Sequence, residues 1–377
     1  MSRAHRGVVA GRRRFTAPTS PAAPITITAG GTYSGYYRST DPLVYAVKVQ
    51  TTAPVVLDHA LIEHVGRGIS YGVAQTNLTV THCKITALDP GTANPVDQLT
   101  IGIYQPASLV IEHNLFDLGH GLSFNGEHLT TSPLRIRYNN YRDIGRWDST
   151  GLIQAVGFDK VNAPGALISY NRIRNRYGHS HVEDTIGIVN SDGASGSPIT
   201  VDHNLLDGAY PFSGDGAGYN GGGIDFADAG GTWQESHHNT IVRCTNNGCM
   251  IPAGSDISHH DNTVLATGYA DDGTRVSSTS GNGLNLWDNP GYAGSPLRCS
   301  EYANRSGLLR WSGTAWQRSD QYTPACDPAG ACTGNVSADG VSPTGSGRDP
   351  TEADITAAVD AWETARVAAG VVCGPDW

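Results

Sequence analysis

The chain has 377 residues, which is longer than most single domains, so we expect either two domains or one elongated repeat architecture. Its 47 glycines, 20 prolines and low charged fraction (16%) are typical of short strands joined by turns rather than of helices. Acidic residues outnumber basic residues by 35 to 25, and this negative balance argues against a nucleic-acid groove.

The first 24 residues have the composition of a basic tail or linker. They contain five arginines and end in a run rich in proline, alanine and serine at residues 16–24. The longest apolar run, residues 7–11, is shorter than the roughly 7–15 residues of a signal-peptide core, so no export signal is predicted. No segment approaches the roughly 18 apolar residues of a membrane span, so no span is predicted either.

A short motif recurs from residue 25 onward. It consists of an apolar residue, two variable residues, an asparagine, one further residue and a second apolar residue. The copies, some of them weaker than others, place asparagine at six positions: Asn114, Asn139, Asn171, Asn204, Asn239 and Asn262. Cys83 occupies the same position one unit earlier. The intervals of 23 to 35 residues indicate stacked supersecondary units.

Each unit also holds a second strand-like segment, for example residues 121–124, 186–189, 223–226 and 283–286. Two or three short strands per unit, with variable loops and no helix between them, predict an all-β fold: a right-handed parallel β-helix over residues 25–295. Stacked strands lie about 4.8 Å apart, so side chains at equivalent positions form ladders. We therefore expect the asparagines to hydrogen-bond from coil to coil at an inward corner.

Residues 296–377 are predicted to form a turn-rich C-terminal region with one helix. Asp349 and Pro350 suit a helix cap and a first helical residue, and Gly370 suits the end, so the predicted helix covers residues 350–369. We expect it to cover the open end of the β-helix, where an exposed strand edge would invite aggregation. Cys326 and Cys332 are predicted to form a loop disulfide, which implies an oxidising environment.

Counting back from the ladder asparagines aligns three acidic residues. Asp159, Asp192 and Asp228 lie 12, 12 and 11 residues before the next ladder asparagine. Equivalent positions would put the three carboxylates in a line at intervals of roughly 5 Å. Carboxylates that close repel one another, so they need a cation, a shared proton or a basic partner such as Lys160. The other interpretation is that Asp192 and Asp228, each close to a glycine, shape turns.

The neighbouring sequence makes this region the densest ionisable cluster of the chain. It adds three acids and four arginine or histidine side chains: Glu183, Asp184, Asp225, Arg174, Arg176, His179 and His181. Three functions could use such a face: uronate β-elimination, glycoside hydrolysis, or glycan binding without a reaction. Hydrolysis needs two carboxyl groups about 5–5.5 Å apart for retention or about 6.5–9.5 Å apart for inversion, and coil spacing is compatible with both.

The lyase hypothesis assigns a role to each of these residues. Asp192, Asp225 and Asp228 would hold a Ca²⁺ ion that neutralises the sugar carboxylate. Lys160 or Arg176 would be the base that removes the C5 proton, and Asp192 completes the catalytic set. Substrate binding is assigned to the remaining residues: Asp159, Arg174, His179, His181, Glu183 and Asp184.

Two further motifs are weaker indications. The Gly-His-Gly sequence at residues 119–121 resembles an element of the polygalacturonases, but the paired aspartates that should precede it are missing, so we interpret it as a chance match. The pairs His237-His238 and His259-His260 suggest a metal, yet no cysteine or carboxylate spacing completes a zinc set. We interpret these histidines as solvated side chains beside the ladder.

Two stretches resemble known sequences, namely residues 182–193 continuing to 197–199, and residues 221–228. They are similar to the pectate-lyase-like, right-handed parallel β-helix repeat proteins, as is the opening at residues 30–35. The resemblance covers roughly residues 25–290. It implies a secreted, carbohydrate-directed protein whose site lies in the acidic groove between Glu183 and Asp228. No lysine or arginine matches a lyase motif of that superfamily.

A bacteriophage virion protein is the alternative. Tail spikes and minor tail proteins often use β-helices and reach the outside without secretion. Residues 1–24 would then anchor the fibre to the particle, and a homotrimer that binds host-surface glycan would be expected. In either case the predicted partner is a polysaccharide, and the predicted location is extracellular or on the virion.

Overall fold

The computed structural model describes residues 18–91, 98–126, 134–147, 153–211, 220–276, 280–292 and 296–376. Most of the predicted tail, residues 1–17, lies outside the described residues, so its role as an anchor stays a prediction. The first strand begins at Ile25, where the sequence predicts that regular structure starts.

Within the described residues the chain forms 33 strands of two to seven residues and one helix. The first eleven strands are β1 (Ile25–Ile27), β2 (Gly31–Tyr33), β3 (Tyr36–Ser39), β4 (Val47–Val49), β5 (Val55–Asp58), β6 (Leu61–His64), β7 (Ile69–Tyr71), β8 (Asn77–Thr81), β9 (Lys84–Ala87), β10 (Leu99–Tyr104) and β11 (Ser108–Glu112). The next eleven are β12 (Leu115–Asp117), β13 (His120–Asn125), β14 (Leu134–Arg137), β15 (Asn140–Arg142), β16 (Val156–Asp159), β17 (Leu167–Ser169), β18 (Arg172–Arg174), β19 (Asp184–Val189), β20 (Ser191–Asp192), β21 (Ile199–Asp202) and β22 (Leu205–Ala209). The remaining elements are β23 (Gly222–Phe226), β24 (Gly231–His237), β25 (Thr240–Cys244), β26 (Cys249–Ile251), β27 (Ser255–His260), β28 (Thr263–Ala266), β29 (Leu284–Leu286), β30 (Ser300–Tyr302), β31 (Arg305–Trp311), β32 (Trp316–Arg318), β33 (Gln321–Tyr322) and α1 (Glu352–Ala368).

The strands form three sheets, because successive strands of each coil join different sheets. The first sheet has the order β1-β4-β7-β10-β13-β16-β19-β23-β26-β29-β33. The second has the order β2-β5-β8-β11-β14-β17-β21-β24-β27-β30, with β20 paired to β24, and the third has the order β3-β6-β9-β12-β15-β18-β22-β25-β28-β31-β32. Neighbouring strands within these sheets are parallel, except that β31 and β32 are antiparallel. The topology is the parallel β-helix that the sequence predicts, and its sheets continue past residue 295.

Inward side chains fill the space between the three sheets. Strands such as β8 alternate buried and partly exposed residues, because successive side chains of a strand point to opposite faces. The parallel register stacks equivalent side chains, and one such row consists of Leu57, Val80, Ile111, Ile136, Ile168 and Val201. These aliphatic and β-branched side chains form one continuous core along the axis of the β-helix.

The predicted asparagine ladder is confirmed. Oδ1 of Asn139 accepts hydrogen bonds from the backbone N–H and the side-chain amide of Asn114, both at 3.0 Å. Oδ1 of Asn171 accepts the same two hydrogen bonds from Asn139. The pattern passes through all six predicted asparagines, and Asn304 and Asn335 extend it. The ladder therefore satisfies buried polar groups at each corner.

The residue before each ladder position turns the chain at that corner. Nine such residues have φ between 50° and 61°, in the left-handed region: His59, His82, His113, Tyr138, Tyr170, His203, His238, Asp261 and Ala303. The first seven carry rings, and neighbouring ring centroids lie 4.7–6.1 Å apart. We call these seven side chains the aromatic stack. It follows the corner between the second and third sheets.

The C-terminal helix α1 packs along the side of the β-helix rather than over its end. Its N-cap is Thr351, which forms a capping box with Asp354, so the helix begins two residues later than predicted. Ile355 packs with Val242 and Leu265 of the third sheet. No helix in the described part of the chain has both the length and the apolar character needed to cross a membrane.

The chain after α1 follows the aromatic stack back toward the first coils. Within α1, Trp362 Nε1 donates a hydrogen bond to the carbonyl oxygen of His203 at 2.8 Å. Further on, the backbone N–H of Gly374 donates to the carbonyl oxygen of Tyr138 at 2.7 Å. The carboxylate of Asp376 comes within 3.9 Å of His82 Nε2. The C-terminal segment therefore contacts several coils in reverse order.

The predicted Cys326–Cys332 disulfide is present. It closes a loop of the turn-rich region that follows β33. The other cysteines are free thiols; four of them are buried, and Cys373 is partly buried. Burial raises the pKa of the Cys83 and Cys244 thiols to about 12, as expected for thiols that pack as small apolar groups.

Candidate active site

A cleft of about 450 Å³ lies on the outward face of the first sheet, in its later coils. Four carboxyl groups, five asparagines and three aromatic side chains dominate its lining. These residues are Glu183, Asp184, Asp225, Asp228, Asn246, Asn247, Asn282, Asn285, Asn289, Trp287, Tyr292 and Tyr322. The cleft therefore combines acidic groups with the amide and ring surfaces that bind polar ligands.

Parallel pairing puts several of the lining residues in one outward row. Asp225 of β23 is in register with Met250 of β26, and Met250 is in register with Asn285 of β29. The row continues to Tyr322 of β33 on one side and to Gly187 of β19 on the other. Because stacked strands lie about 4.8 Å apart, residues distant in sequence form one continuous floor.

Two glycines shape the acidic end of the cleft. Gly222 is the register partner of Asp184, and a Cβ at this position would lie 2.0 Å from Asp184 Oδ1. Gly187 leaves room for the side chain of Gln154, whose amide nitrogen would lie 2.5 Å from a Cβ there. Gln154 in turn hydrogen-bonds to Glu183. The glycines therefore allow Asp184 and Gln154 to lie close against the sheet.

Burial and mutual repulsion favour the protonated forms of three carboxyl groups in the cleft. Burial, followed by repulsion from Asp228, raises the pKa of Glu183 to about 7, although the hydrogen bond with Gln154 opposes the shift. Burial and then repulsion from Glu183 raise the pKa of Asp184 well above the usual aspartate range. Burial and then repulsion from Asp184 do the same to the pKa of Asp225. These carboxyl groups therefore keep their protons to a higher pH than exposed ones do, and Glu183 keeps its proton up to about pH 7.

Several buried polar atoms in the cleft lack a hydrogen-bond partner among the described residues. Asp225 is 3% exposed and Asn285 is 6% exposed, and Oδ1 of each has no partner. The indole N–H of Trp287 is also without an acceptor. Buried polar groups are normally paired. These atoms are therefore polar groups of the cleft whose hydrogen-bonding capacity is unused among the described residues.

Asp228 differs from the other three acids in its hydrogen bonding. The hydroxyl of Tyr292 donates a hydrogen bond to the Asp228 carboxylate, and burial together with this bond raises the pKa of the tyrosine. Asp228 therefore has a fixed hydrogen-bond donor in the same cleft as the other three acids.

The structure separates the three aspartates that the counting aligned. Asp159, at the end of β16, is in register with Val189 and not with Asp192. Asp192 lies on β20, where its Oδ1 accepts a hydrogen bond from the hydroxyl of Thr232 at 2.8 Å. Of the three, only Asp228 lines the cleft. The predicted line of carboxylates is wrong, because the segment between the first and second sheets differs in length from coil to coil.

The predicted basic residues lie outside the cleft. Arg176 forms a two-point ion pair with Asp143. Arg174, on β18, lies 3.6 Å from the carboxylate of Glu363 in α1. Lys160 follows β16 and is exposed. Among the described residues that line the cleft, none is lysine or arginine, so the geometry gives no support to Lys160 or Arg176 as a base there.

Of the predicted substrate-binding residues, Glu183 and Asp184 line the cleft. Asp159 instead accepts a hydrogen bond from the side-chain amide of Asn125 at 2.7 Å. His179 and His181 lie in the segment between β18 and β19, and His181 is buried. Of the predicted calcium ligands, Asp225 and Asp228 share the cleft, whereas Asp192 is not among its lining residues.

The sequence interpretation missed the half of the cleft that later coils supply. Asn285, Trp287 and Tyr292 come from the region where the repeat weakens. One signal was available, because residues 223–226 and 283–286 share the pattern glycine, apolar, polar, apolar, with Asp225 and Asn285 in the same place. The strand register through β26 bears out this equivalence.

Replacing Glu183 with glutamine is expected to stabilise the protein above pH 7. The pKa of Glu183 rises on folding from its ordinary 4.5 to about 7, so between these values the folded state binds more protons than the unfolded state. The stability that Glu183 contributes is thus complete below about pH 4.5 and is lost as the pH rises through about 7. Glutamine does not ionise, so Glu183→Gln removes this loss of folding free energy, which is roughly 1–3 kcal/mol.

Urea unfolding of both proteins at pH 4, 6 and 8 measures the effect. The stability difference in favour of Glu183→Gln should grow with pH and level off above 7. A difference that is the same at all three pH values would contradict the raised pKa.

Fold and site together define a class: a parallel β-helix protein with an acidic, asparagine- and aromatic-lined cleft on its first sheet. No protein-family model, curated protein or solved structure matches the chain. The function is therefore argued from the geometry of the cleft.

Proposed function

We propose that the chain is a glycoside hydrolase that cleaves an uncharged polysaccharide in this cleft, and that it belongs to the pectate-lyase-like β-helix superfamily. One observation carries the proposal: four carboxyl groups converge in a cleft whose described lining includes no lysine or arginine. Glycoside hydrolysis uses a pair of carboxyl groups, one as acid and the other as base or nucleophile. The stacked coils offer a long floor that suits a polymeric substrate.

Glu183 is the proposed general acid. With a pKa of about 7 it is largely protonated just below neutral pH, and it can give its proton to the glycosidic oxygen as that bond breaks. The hydrogen bond with Gln154 orients the carboxyl group. Asp228, which accepts a hydrogen bond from Tyr292, is the proposed base or nucleophile.

Asp184 and Asp225 are proposed to bind the substrate. A protonated carboxyl group both donates and accepts hydrogen bonds, which matches the hydroxyl groups of a sugar. Oδ1 of Asn285 and the indole N–H of Trp287, both without partners among the described residues, can bind further hydroxyl groups. The aromatic rings of the cleft offer apolar faces to the sugar rings.

The charges of the cleft favour an uncharged substrate over a uronate. Uronate β-elimination needs a cation or an arginine to neutralise the sugar carboxylate. An acidic cleft whose described lining has no lysine or arginine would repel that carboxylate unless an ion such as Ca²⁺ were bound, with Asp225 and Asp228 as candidate ligands. For this reason we place the hydrolase ahead of the lyase.

The test is product release from a panel of neutral and uronate polysaccharides, with added Ca²⁺ or with chelator. We expect new reducing ends from a neutral polysaccharide, no ultraviolet signal of an unsaturated sugar, and activity that falls as the pH rises through about 7. Asp192→Asn, outside the cleft, is the control and should keep full activity. A calcium-dependent ultraviolet signal from a uronate would favour the lyase, and no products from any polysaccharide would contradict catalysis altogether.

A further inference from the structure

A second group of chemically active side chains lies at the corner between the second and third sheets. One donor atom from each of Asp202, His203 and His237 lies within 4.8 Å of the other two. None of the three lines the acidic cleft. Their chemistry is therefore independent of the proposed hydrolysis.

The coil register builds this group from two adjacent coils. Asp202, the last residue of β21, is paired in register with His237, the last residue of β24. His203 and His238 follow them at the left-handed turn position, with φ of 54° and 56°. The rings of His203 and His238 stack with centroids 5.0 Å apart and an interplanar angle of 4°. An Asp-His pair therefore lies directly against a His-His pair.

The hydrogen bonding of this group leaves donor atoms for a ligand. His203 Nδ1 lies 2.8 Å from Asp202 Oδ2, whereas Asp202 Oδ1 is buried and has no hydrogen-bond partner among the described residues. His237 Nδ1 lies 2.9 Å from His238 Nδ1, so two ring nitrogens compete for one proton. The Asp202 and His203 side chains are 15% and 34% exposed, so the group lies at the boundary between the protein and solvent.

We propose that Asp202, His203 and His237 bind a divalent transition-metal ion such as Zn²⁺. Imidazole nitrogen and carboxylate oxygen are zinc ligands, whereas Ca²⁺ and Mg²⁺ take oxygen donors. A tetrahedral zinc ion holds such donors at about 2.0–2.2 Å, and hence about 3.4 Å from one another. The distances between the three donor atoms would therefore have to shorten by at most about 1.4 Å, which side-chain rotation can achieve.

Residue spacing in the sequence does not reveal Asp202 as the carboxylate ligand of this site. Glu235, two residues before His237, instead contacts His260 Nε2 at 2.9 Å, whereas the preceding coil places Asp202 beside His237. A bound ion would join two adjacent coils, and it would bind the folded chain only. It should therefore stabilise the fold by mass action.

The same Asp-His pair recurs at the equivalent place of an early coil. Asp58, His59 and His82 form the second such group among the described residues. There, Asp376 of the C-terminal segment lies on the Nε2 side of both rings, at 3.9 Å. This second group supplies a matched comparison, because Asp58→Asn and Asp202→Asn are the same change at equivalent positions.

The test uses the full chain, stripped of metal with chelator, and titrates it with Zn²⁺ alone by calorimetry. Wild type and Asp58→Asn should bind Zn²⁺ at the proposed site with equal affinity. Asp202→Asn and His237→Ala should each weaken that binding at least tenfold. Titration with Co²⁺ should give the visible absorption of a tetrahedral nitrogen- and oxygen-ligated ion in wild type but not in these two variants.

Unchanged Zn²⁺ affinity and Co²⁺ absorption in both Asp202→Asn and His237→Ala would overturn the proposal. So would binding that is lost in Asp58→Asn and kept in Asp202→Asn. Thermal unfolding in chelator checks the fold of each variant. Asp202→Asn keeps the shape of the side chain and serves alone if His237→Ala does not fold.

Discussion

Replacing Glu183 with glutamine is expected to lower kcat for polysaccharide hydrolysis by about 10²- to 10⁴-fold. The amide keeps the size of the side chain and its contact with Gln154 but has no proton acidic enough for the glycosidic oxygen. The loss should fall mainly on kcat rather than on KM, because a general acid acts in the transition state. Steady-state release of reducing ends from the best neutral polysaccharide measures it.

The leaving group distinguishes an acid from a residue that only supports the cleft. A nitrophenyl glycoside leaves as a stable anion and needs little proton donation, so Glu183→Gln should retain far more activity on it than on the polysaccharide. Equal losses on the two substrates would contradict the acid role. Glu112→Gln is the matched control, because Glu112 lies on β11 in an ion pair with Arg137, away from the cleft.

The same variant should be less active and, above pH 7, more stable than wild type. A buried carboxyl group whose pKa is raised by its surroundings destabilises the folded state once the pH favours its charge. The raised pKa would thus cost stability in return for the proposed acid role, a trade-off that is common at active sites. A variant that loses both activity and stability would indicate that Glu183 is structural.

The second large effect is expected from Asn171→Ala in the asparagine ladder. Asn171 Oδ1 accepts two hydrogen bonds from Asn139, and its amide donates to the carbonyl oxygen of Ile136. Alanine leaves two donors and one acceptor buried without partners, at about 1–3 kcal/mol for each group. We expect the free energy of unfolding in urea to fall by about 3–5 kcal/mol.

Asn125→Ala is the control for the ladder prediction. Asn125 is an exposed asparagine whose amide donates to Asp159, so its loss should change the free energy of unfolding by less than about 1 kcal/mol. Similar losses for the two variants would mean that the buried hydrogen bonds of the ladder contribute little beyond an ordinary surface contact.

The sequence predicted the β-helix because its strongest signals are short-range. Each of the six predicted ladder asparagines directly follows a left-handed turn residue and directly precedes a strand of the third sheet. That group of residues keeps a constant length from coil to coil, so spacing in the sequence translates directly into position in the fold. The ladder and the aliphatic core were predictable for this reason.

The candidate site was only partly predictable because it depends on segments of variable length. Between the first sheet and the ladder, coils contain different loops, and one of them includes the extra strand β20. Counting back from the ladder therefore aligned Asp192 with Asp228, which the register separates. Glu183, Asp184 and Asp225 were found because the sequence places them in or next to first-sheet strands of adjacent coils.

Local sequence patterns also could not predict where α1 packs on the β-helix. Its capping residues and apolar face predict that a helix forms, but many surfaces of a β-helix could receive that face. Contacts with Val242 and Leu265 on the third sheet, and the hydrogen bond from Trp362 to His203, decide its place. These partners lie 90 to 159 residues from the helix residues that they contact, so no short-range pattern can predict them.

The returning C-terminal segment changes how the molecule should come apart. A stack of repeats held only by nearest neighbours can lose coils from one end while the rest persists. Here α1 and the segment that follows it link the coil of His203 to that of His82. We therefore expect these coils to unfold together rather than one at a time. This segment therefore couples the coils into one cooperative unit, and its contacts with the early coils can form only after Gly374 and Asp376 have been synthesised.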